Sequence, residues 1–105
     1  MNIEFGLKAT DLESIINALA NYPEIEKAII YGSRAKGNYR TASDIDLTLL
    51  GKKLDSKIMS KLEWQLDDLL LPYTFDISIM HQISNPDLID HIERVGKVIY
   101  EKKVI

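Results

Sequence analysis

Two acidic residues inside an otherwise apolar strand constrain this chain more than any other feature. In the segment 44–50, Asp44 and Asp46 stand two residues apart, and the residues between and after them are almost all isoleucine or leucine. Because residues i and i+2 of a strand point to the same face, the two carboxylates lie side by side, about 6.6 Å apart along the strand. Such carboxylates repel each other, and aspartate is a poor strand former. The pattern therefore predicts a strand with one core face and one face that binds a cation.

A second segment, 74–80, repeats this arrangement. Phe75, Ile77 and Ile79 alternate with Asp76, which points to the opposite face. If the two strands are neighbours, Asp76 joins the first two carboxylates on one open face. Carboxylate oxygens are the ligands that Mg²⁺ prefers, and three carboxylates can hold two metal ions about 3.5–4 Å apart for in-line phosphoryl displacement.

Gly32-Ser33 follows a short apolar strand predicted at 27–31 and supplies a candidate phosphate site. Glycine permits a tight turn, and a backbone N–H beside a serine hydroxyl forms a cradle for anionic oxygens. Arg34 is a candidate for neutralising a triphosphate at this site, as are Lys36 and Arg40. Residues 32–43 are predicted to form a loop with room for one short helical turn.

Helices and a further strand are predicted around these segments. The expected N-caps of the three helices are Thr10, Ser56 and Asn85. Proline follows the second helix at Pro72, Gly96 ends the third, and a short edge strand is expected at 98–100. The order α-β-β-α-β-α, with this possible last strand, predicts an α/β or α+β fold in which helices cover one face of a small mixed sheet.

Length and composition narrow the classes of protein. The 105 residues, of which 46% are hydrophobic, suit a single domain spanning residues 1–105. The chain has no cysteine, which excludes disulfides and cysteine-bound zinc. No secretory signal or membrane-spanning apolar stretch is visible, so a cytoplasmic protein is expected. The net charge of −3 argues against a chain that binds nucleic acid on its own.

The segment Gly32-Ser33, ten residues, then Asp44-Ile45-Asp46 resembles the signature of the DNA polymerase β nucleotidyltransferase superfamily. The sequence Gly-Ser-Arg-Ala-Lys-Gly is similar to that of the superfamily's minimal nucleotidyltransferase domains. Together with Asp76, the resemblance covers roughly residues 10–100. It implies that Asp44 and Asp46 bind two Mg²⁺ ions and that Asp76 completes the site and activates an acceptor hydroxyl. It also implies that Gly32 and Ser33 hold the triphosphate.

The same resemblance implies a partner protein. Minimal members are similar to proteins encoded beside a HEPN-domain ribonuclease, where the nucleotidyltransferase acts as antitoxin by moving AMP from ATP to a tyrosine of the toxin. A hetero-oligomer is then expected. Two alternatives stay open: an antitoxin that works by contact alone, and a subunit that modifies RNA ends or small molecules with help from another chain. Crowding three acids on one face favours the enzyme, because binding alone gives no reason for it.

Other chemically capable side chains are interpreted as structural. His81 and His91 are far apart in the sequence and have no ligand spacing with cysteine or glutamate. His81 follows the third strand and could approach the site, but we interpret it as a structural histidine. Trp64 is expected to pack partly into the core from its helix, with a partner contact as the alternative. Tyr39 is expected to pack locally within its loop.

Overall fold

In the computed structural model, which describes residues 3–103, a four-stranded sheet forms the centre of the fold. Its strands are β3 (Lys27–Tyr31), β4 (Ile45–Leu50), β5 (Phe75–Ile79) and β6 (Lys97–Glu101). The order across the sheet is β5-β4-β3-β6, with β3 antiparallel to both neighbours and β4 parallel to β5. The sheet is therefore mixed, and the neighbouring position assumed for the two acidic strands is confirmed. The strands β1 (Ile3–Glu4) and β2 (Leu7–Lys8) form a separate hairpin.

The hydrophobic core lies between one face of this sheet and two helices. The helices of the fold are α1 (Ala9–Ala20), α2 (Gly32–Lys36), α3 (Ser56–Asp68) and α4 (Pro86–Val95), with a 3-10 turn at Met80–Gln82. α1 and α3 bury Ile15, Leu19, Leu62 and Leu66 against Ile30, Leu47 and Leu49 of the strands. Because side chains alternate across a strand, these core residues leave Asp46 and Asp76 on the opposite face.

α4 packs beside that opposite face, next to β3. Ile92 of α4 is buried, and Gly96 at the end of the helix lies against Ile29 of β3. The ring of His91 meets the ring of Tyr31 edge to face, with their centroids 6.1 Å apart. The predicted mixed α+β class is confirmed, and α4 forms one wall of the face that carries the carboxylates.

Two of the predicted helix caps are wrong by one or two residues. α1 begins at Ala9 with Lys8 as N-cap, because the β1–β2 hairpin runs straight into the helix; Thr10 lies in the first turn and its carbonyl accepts from Ser14. α3 is capped by Asp55, whose carboxylate accepts from the N–H of Ile58 at 2.9 Å. A carboxylate is a stronger acceptor than a serine hydroxyl, so the residue before Ser56 takes the position.

The start of α4 and the last strand agree with the sequence. Asn85 caps α4 by accepting from the N–H groups of Asp87 and Leu88 at 2.9 and 3.3 Å. Pro86 occupies the first turn, where its missing N–H leaves no hydrogen bond unmade. The edge strand expected at 98–100 is β6, which is longer by one residue at each end.

Candidate active site

Asp46 and Asp76 lie in register on the adjacent parallel strands β4 and β5. Their side chains therefore leave the sheet on the same face, and Tyr31 is opposite Asp46 on its other neighbour, β3. Burial raises the pKa of the Asp46 carboxyl above its ordinary value, and the negative charges of Asp76 and Asp44 raise it further. His91 and Arg34 oppose this shift with smaller effects. The arrangement concentrates negative charge where a cation would relieve it.

Asp44 lies immediately before β4 and is exposed. Its carboxylate accepts a hydrogen bond from the hydroxyl of Thr74, the residue that precedes β5. Within residues 3–103, no three carboxylates or imidazoles are gathered into a ready metal-binding group. Asp44 therefore lies near the N-terminal ends of β4 and β5, where Asp46 and Asp76 also lie, but its carboxylate is turned toward Thr74.

Gly32 is the point at which β3 turns into α2, and it lies directly against Asp46. Its φ of +75° falls in the left-handed region that glycine adopts readily. A Cβ placed on Gly32 would collide with the carboxylate of Asp46. Glycine is therefore required at position 32 for two reasons: the positive φ of the backbone and the lack of space for a Cβ beside Asp46. α2 occupies residues that were expected to be mainly loop, and it ends at Gly37, whose φ is +89°.

The backbone N–H of Gly32 donates to Nε2 of His91 at 3.1 Å. This N–H had been expected to face a phosphate, and in the structure the imidazole takes it. His91 is thus a site residue that the sequence pattern does not reveal, because no ligand spacing links it to the motif. The two residues are 59 positions apart, so no local spacing could have signalled the contact. Ser33 follows in the first turn of α2 and is half-buried.

Arg34, expected to neutralise a triphosphate, bonds to groups of the protein itself. Its side chain is buried, at 2% exposure, between the rings of Tyr39 and Tyr73, whose centroids lie 5.5 and 5.3 Å from the guanidinium carbon. The guanidinium donates to the carbonyl of Phe5 at 2.9 Å and to that of Ser43 at 2.8 and 3.1 Å, with a longer contact to Thr41 at 3.4 Å. These bonds hold the segment before Asp44 against the N-terminal hairpin.

Tyr31 is a buried phenol on the carboxylate face. Burial raises its pKa, the nearby hydroxyl of Ser78 opposes that effect, and the charges of Asp76 and Asp46 raise the pKa further. Tyr31 is therefore neutral at ordinary pH and is a hydrogen-bond donor beside the two carboxylates.

Two other side chains lie away from this site. His81 is exposed in the 3-10 turn, beside Leu50 at the far end of β4. Trp64 is 74% exposed on α3, so the expectation that it packs partly into the core is wrong. Across residues 3–103, no helix combines the length and the hydropathy needed to cross a membrane.

Comparison with known proteins agrees with this geometry. The family model described as "Polymerase beta, Nucleotidyltransferase" matches residues 13–104. A chain of a solved toxin–antitoxin with AMP-PNP superposes with a TM-score of 0.69 at 24% identity, covering 88% of this chain and 74% of that one. A chain of the tri-AMPylated Shewanella oneidensis HEPN toxin in complex with MNT antitoxin gives 0.67 at 21%, covering 91% and 74%. A chain of the toxin–antitoxin MntA-HepT gives 0.65 at 22%, covering 90% and 74%.

No curated protein matches the chain significantly. At these low identities the solved structures establish a shared fold, and the family model establishes the family, because it spans nearly the whole chain and includes Gly32, Ser33 and all three aspartates. The chain belongs to the polymerase beta nucleotidyltransferase family.

Proposed function

We propose that this protein moves AMP from ATP to a hydroxyl group of a HEPN-domain partner, a tyrosine in the first instance, and thereby acts as an antitoxin in the cytoplasm. The observation that carries the proposal is the register of Asp46 with Asp76 on parallel strands, which puts two acids side by side on a half-open face next to Gly32. Structural use of such a pair is costly, since the charges repel and no cationic side chain forms a salt bridge with either of them among residues 3–103.

The carboxylates suit Mg²⁺. Asp46 and Asp76, with Asp44, are the residues that would hold two ions, because hard oxygen donors are the ligands this metal takes. Burial raises the pKa of Asp46, and the negative charges of Asp76 and Asp44 raise it further, against smaller opposing effects of His91 and Arg34. The repulsion among the three carboxylates supports a cation at this position. When bound, Mg²⁺ supplies positive charge that neutralises the triphosphate and makes its α-phosphorus more electrophilic.

The protein's own residues have separate tasks in the transfer. The acceptor oxygen bonds to the α-phosphorus of ATP, and the bond from that phosphorus to the bridging oxygen breaks, leaving its electron pair on pyrophosphate. The acceptor proton passes to the carboxylate of Asp76, which is the exposed member of the pair. Ser33, at the start of α2, donates to the phosphates as charge grows on the leaving group.

The choice of acceptor and partner draws on the superposed structures. One of those structures is a toxin–antitoxin with AMP-PNP, and another is a tri-AMPylated HEPN toxin in complex with an MNT antitoxin. Adenosine nucleotide and HEPN partner are therefore the first candidates for this chain, in a hetero-oligomer. The open carboxylate face is consistent with an acceptor supplied by another protein.

The test is to compare the parent with Ser33→Ala and Asp46→Asn. Each is incubated with labelled ATP, Mg²⁺ and the protein that copurifies with the chain, and both label transfer and neutralisation of that partner are measured. Ser33→Ala should lower the rate by about 10- to 1,000-fold, as expected for loss of one donor to a developing charge. Asp46→Asn should abolish transfer, because it removes a shared metal ligand. Thermal unfolding of each variant provides the control for folding.

Transfer and neutralisation must fall together for the proposal to hold. If both variants neutralise the partner as well as the parent does, the protein works by contact alone. If transfer occurs only onto RNA ends or small molecules, the partner is not the acceptor.

A further inference from the structure

β5 is an edge strand, and its outer side is unoccupied by any other strand of residues 3–103. The N–H of Ile45 donates to the carbonyl of Thr74, which fixes the alternation of the parallel ladder between β4 and β5. From this alternation, the N–H and C=O groups of Asp76 and Ser78 point toward β4. Those of Phe75, Ile77 and Ile79 point outward, where a further strand can pair with them.

The two edges of the sheet are built differently. Natural edge strands are usually protected by charged residues, bulges or proline. The other edge, β6, begins with Lys97 and ends with Glu101, which forms an ion pair with Lys27 at 3.7 Å, and its register with β3 shifts near Ile29. β5 has the sequence Phe-Asp-Ile-Ser-Ile and a continuous register with β4. Its one charged residue, Asp76, belongs to the carboxylate face, so the edge itself is left open.

A groove runs along this open edge on the side of α3. It consists of two adjoining hollows of about 390 and 260 Å³, which share Glu63 and Ile77. Met59 and Phe75 contribute apolar lining, and the charged residues in the lining are Glu63 and Asp67, one helical turn apart. Both are exposed, and none of the lysines or arginines within residues 3–103 lines either hollow. We call this feature the β5 groove.

We infer that an extended, basic segment of the acceptor protein docks on the outer edge of β5 as a fifth strand, with its alternate side chains in the β5 groove. This inference rests on the proposed function, because it places the acceptor hydroxyl. Main-chain hydrogen bonds to Phe75, Ile77 and Ile79 provide affinity, and the groove selects the side chains. The acidic lining favours lysine or arginine there and disfavours a polyanion such as RNA.

The geometry also explains how the acceptor reaches the carboxylates. Side chains of an added strand alternate between the two sheet faces, and neighbouring strands lie about 4.8 Å apart. A hydroxyl residue opposite Asp76 therefore projects on the carboxylate face, beside the group proposed to take its proton. Its two immediate neighbours in sequence project into the β5 groove, next to Glu63 and Ile77. The acceptor is thus expected to have apolar or basic residues on each side of the modified one.

Amide hydrogen exchange tests the docking directly. The probe is a seven-residue peptide with tyrosine at its centre, serine two positions away on each side, and lysine or valine at the alternate positions. Bound as a strand, it should slow exchange of the Phe75, Ile77 and Ile79 amides by about tenfold or more, while those of Asp76 and Ser78, already bonded to β4, change little. Absence of this alternation at millimolar peptide overturns the inference, as does equal protection by a single-stranded oligonucleotide.

Charge reversal on α3 gives the matched comparison. Asp67→Lys places a cation in the β5 groove, whereas Asp68→Lys makes the same change at the next position, which lies beside Trp64 outside the groove. Asp67→Lys should raise the KM for the peptide in nucleotide transfer by about two- to fivefold, in keeping with one exposed ion pair. Asp68→Lys should leave it unchanged. Equal effects of the two substitutions would contradict the assignment of the groove.

Docking and catalysis fail in distinguishable ways. Alternating amide protection without any transfer of AMP would leave the docked strand in place and refute the proposed enzyme. Transfer to the partner without amide protection would leave the enzyme in place and refute the docked strand.

Discussion

Gly32, at the end of β3, lies directly against Asp46 of the neighbouring strand β4. The carboxylate of Asp46 occupies the space that a Cβ on Gly32 would need. The motif residue proposed to approach the phosphates thus also sets the position of a proposed metal ligand. Two parts of one signature, separated in sequence by α2 and its following loop, are joined here by direct contact.

Alanine substitutions at two glycines separate this contact from backbone strain. Gly32 and Gly37 both have positive φ, so alanine should cost each about 1–2 kcal/mol of stability. Only at Gly32 does the new methyl meet Asp46, whereas a Cβ on Gly37 has nothing within 4 Å. Gly32→Ala should therefore also abolish nucleotide transfer, and Gly37→Ala should retain most of it. Denaturant unfolding and transfer assays check both, and equal loss of activity would show that strain alone is responsible.

In the metal-free protein, Asp46 should contribute to the pH dependence of the free energy of unfolding. Its pKa is raised in the folded protein above the ordinary 3.8, so the folded state holds this proton more tightly than the unfolded state does. This group's contribution to the free energy of unfolding is therefore greatest at low pH and is lost as pH rises from 3.8 through the raised pKa. Asp46→Asn should remove that fall, and at pH 7 without Mg²⁺ it should raise Tm by a few degrees, on the order of 1–4 °C.

Two controls accompany that measurement. Asp68→Asn removes one negative charge from the exposed surface of α3 and should not reproduce the effect. Mg²⁺ should raise the Tm of the parent and not that of Asp46→Asn, because a ligand stabilises only the state that binds it. Asp44→Asn should be close to neutral without Mg²⁺, since an asparagine oxygen can still accept from Thr74. A lower Tm for Asp46→Asn would indicate a structural role for this carboxylate.

His91→Ala tests the bond between α4 and the start of α2. Loss of the acceptor leaves the Gly32 N–H without its partner and should lower stability by about 1 kcal/mol. Nucleotide transfer should fall by up to about 100-fold, because small displacements of positioning groups have effects of that size. His91→Gln, which keeps an acceptor, should recover part of the activity. A loss of stability with unchanged kcat and KM for ATP would show that His91 serves the fold alone.

Arg34→Lys distinguishes a structural arginine from a phosphate ligand. Lysine keeps the charge but lacks the planar fork that reaches the carbonyls of Phe5 and Ser43 together. The substitution should lower the free energy of unfolding by about 2–4 kcal/mol, given hydrogen bonds of 1.5–3 kcal/mol to a charged group. Binding of AMP-PNP, measured below the unfolding transition, should change much less. If the substitution weakens binding of AMP-PNP and leaves the free energy of unfolding unchanged, Arg34 is a ligand of the triphosphate.

Features that depend on neighbours along the chain could be predicted from the amino-acid sequence. Strand alternation put Asp46 on the face opposite Ile45 and Leu47, and Asp76 on the face opposite Phe75 and Ile77, since a period of two is fixed by the backbone. Asp44 was expected in the same strand but lies just before it. The Asn85-Pro86 cap and the order of the longer helices and strands were equally readable, because capping and hydrophobic periodicity act within a few residues. The β1–β2 hairpin and the helix α2 were not predicted.

Contacts between residues far apart in the sequence depend on how the strands and helices pack. The register of Asp46 with Asp76 depends on the pairing of β4 with β5, and the bond from Gly32 to His91 depends on how α4 packs against β3. Arg34 was expected on the triphosphate because a cation in a glycine-rich segment has that chemistry, yet the fold surrounds it with backbone carbonyls and two tyrosine rings. Sequence fixes local geometry and chemical type, whereas the partner that satisfies a buried charge or N–H is chosen by packing over the whole chain.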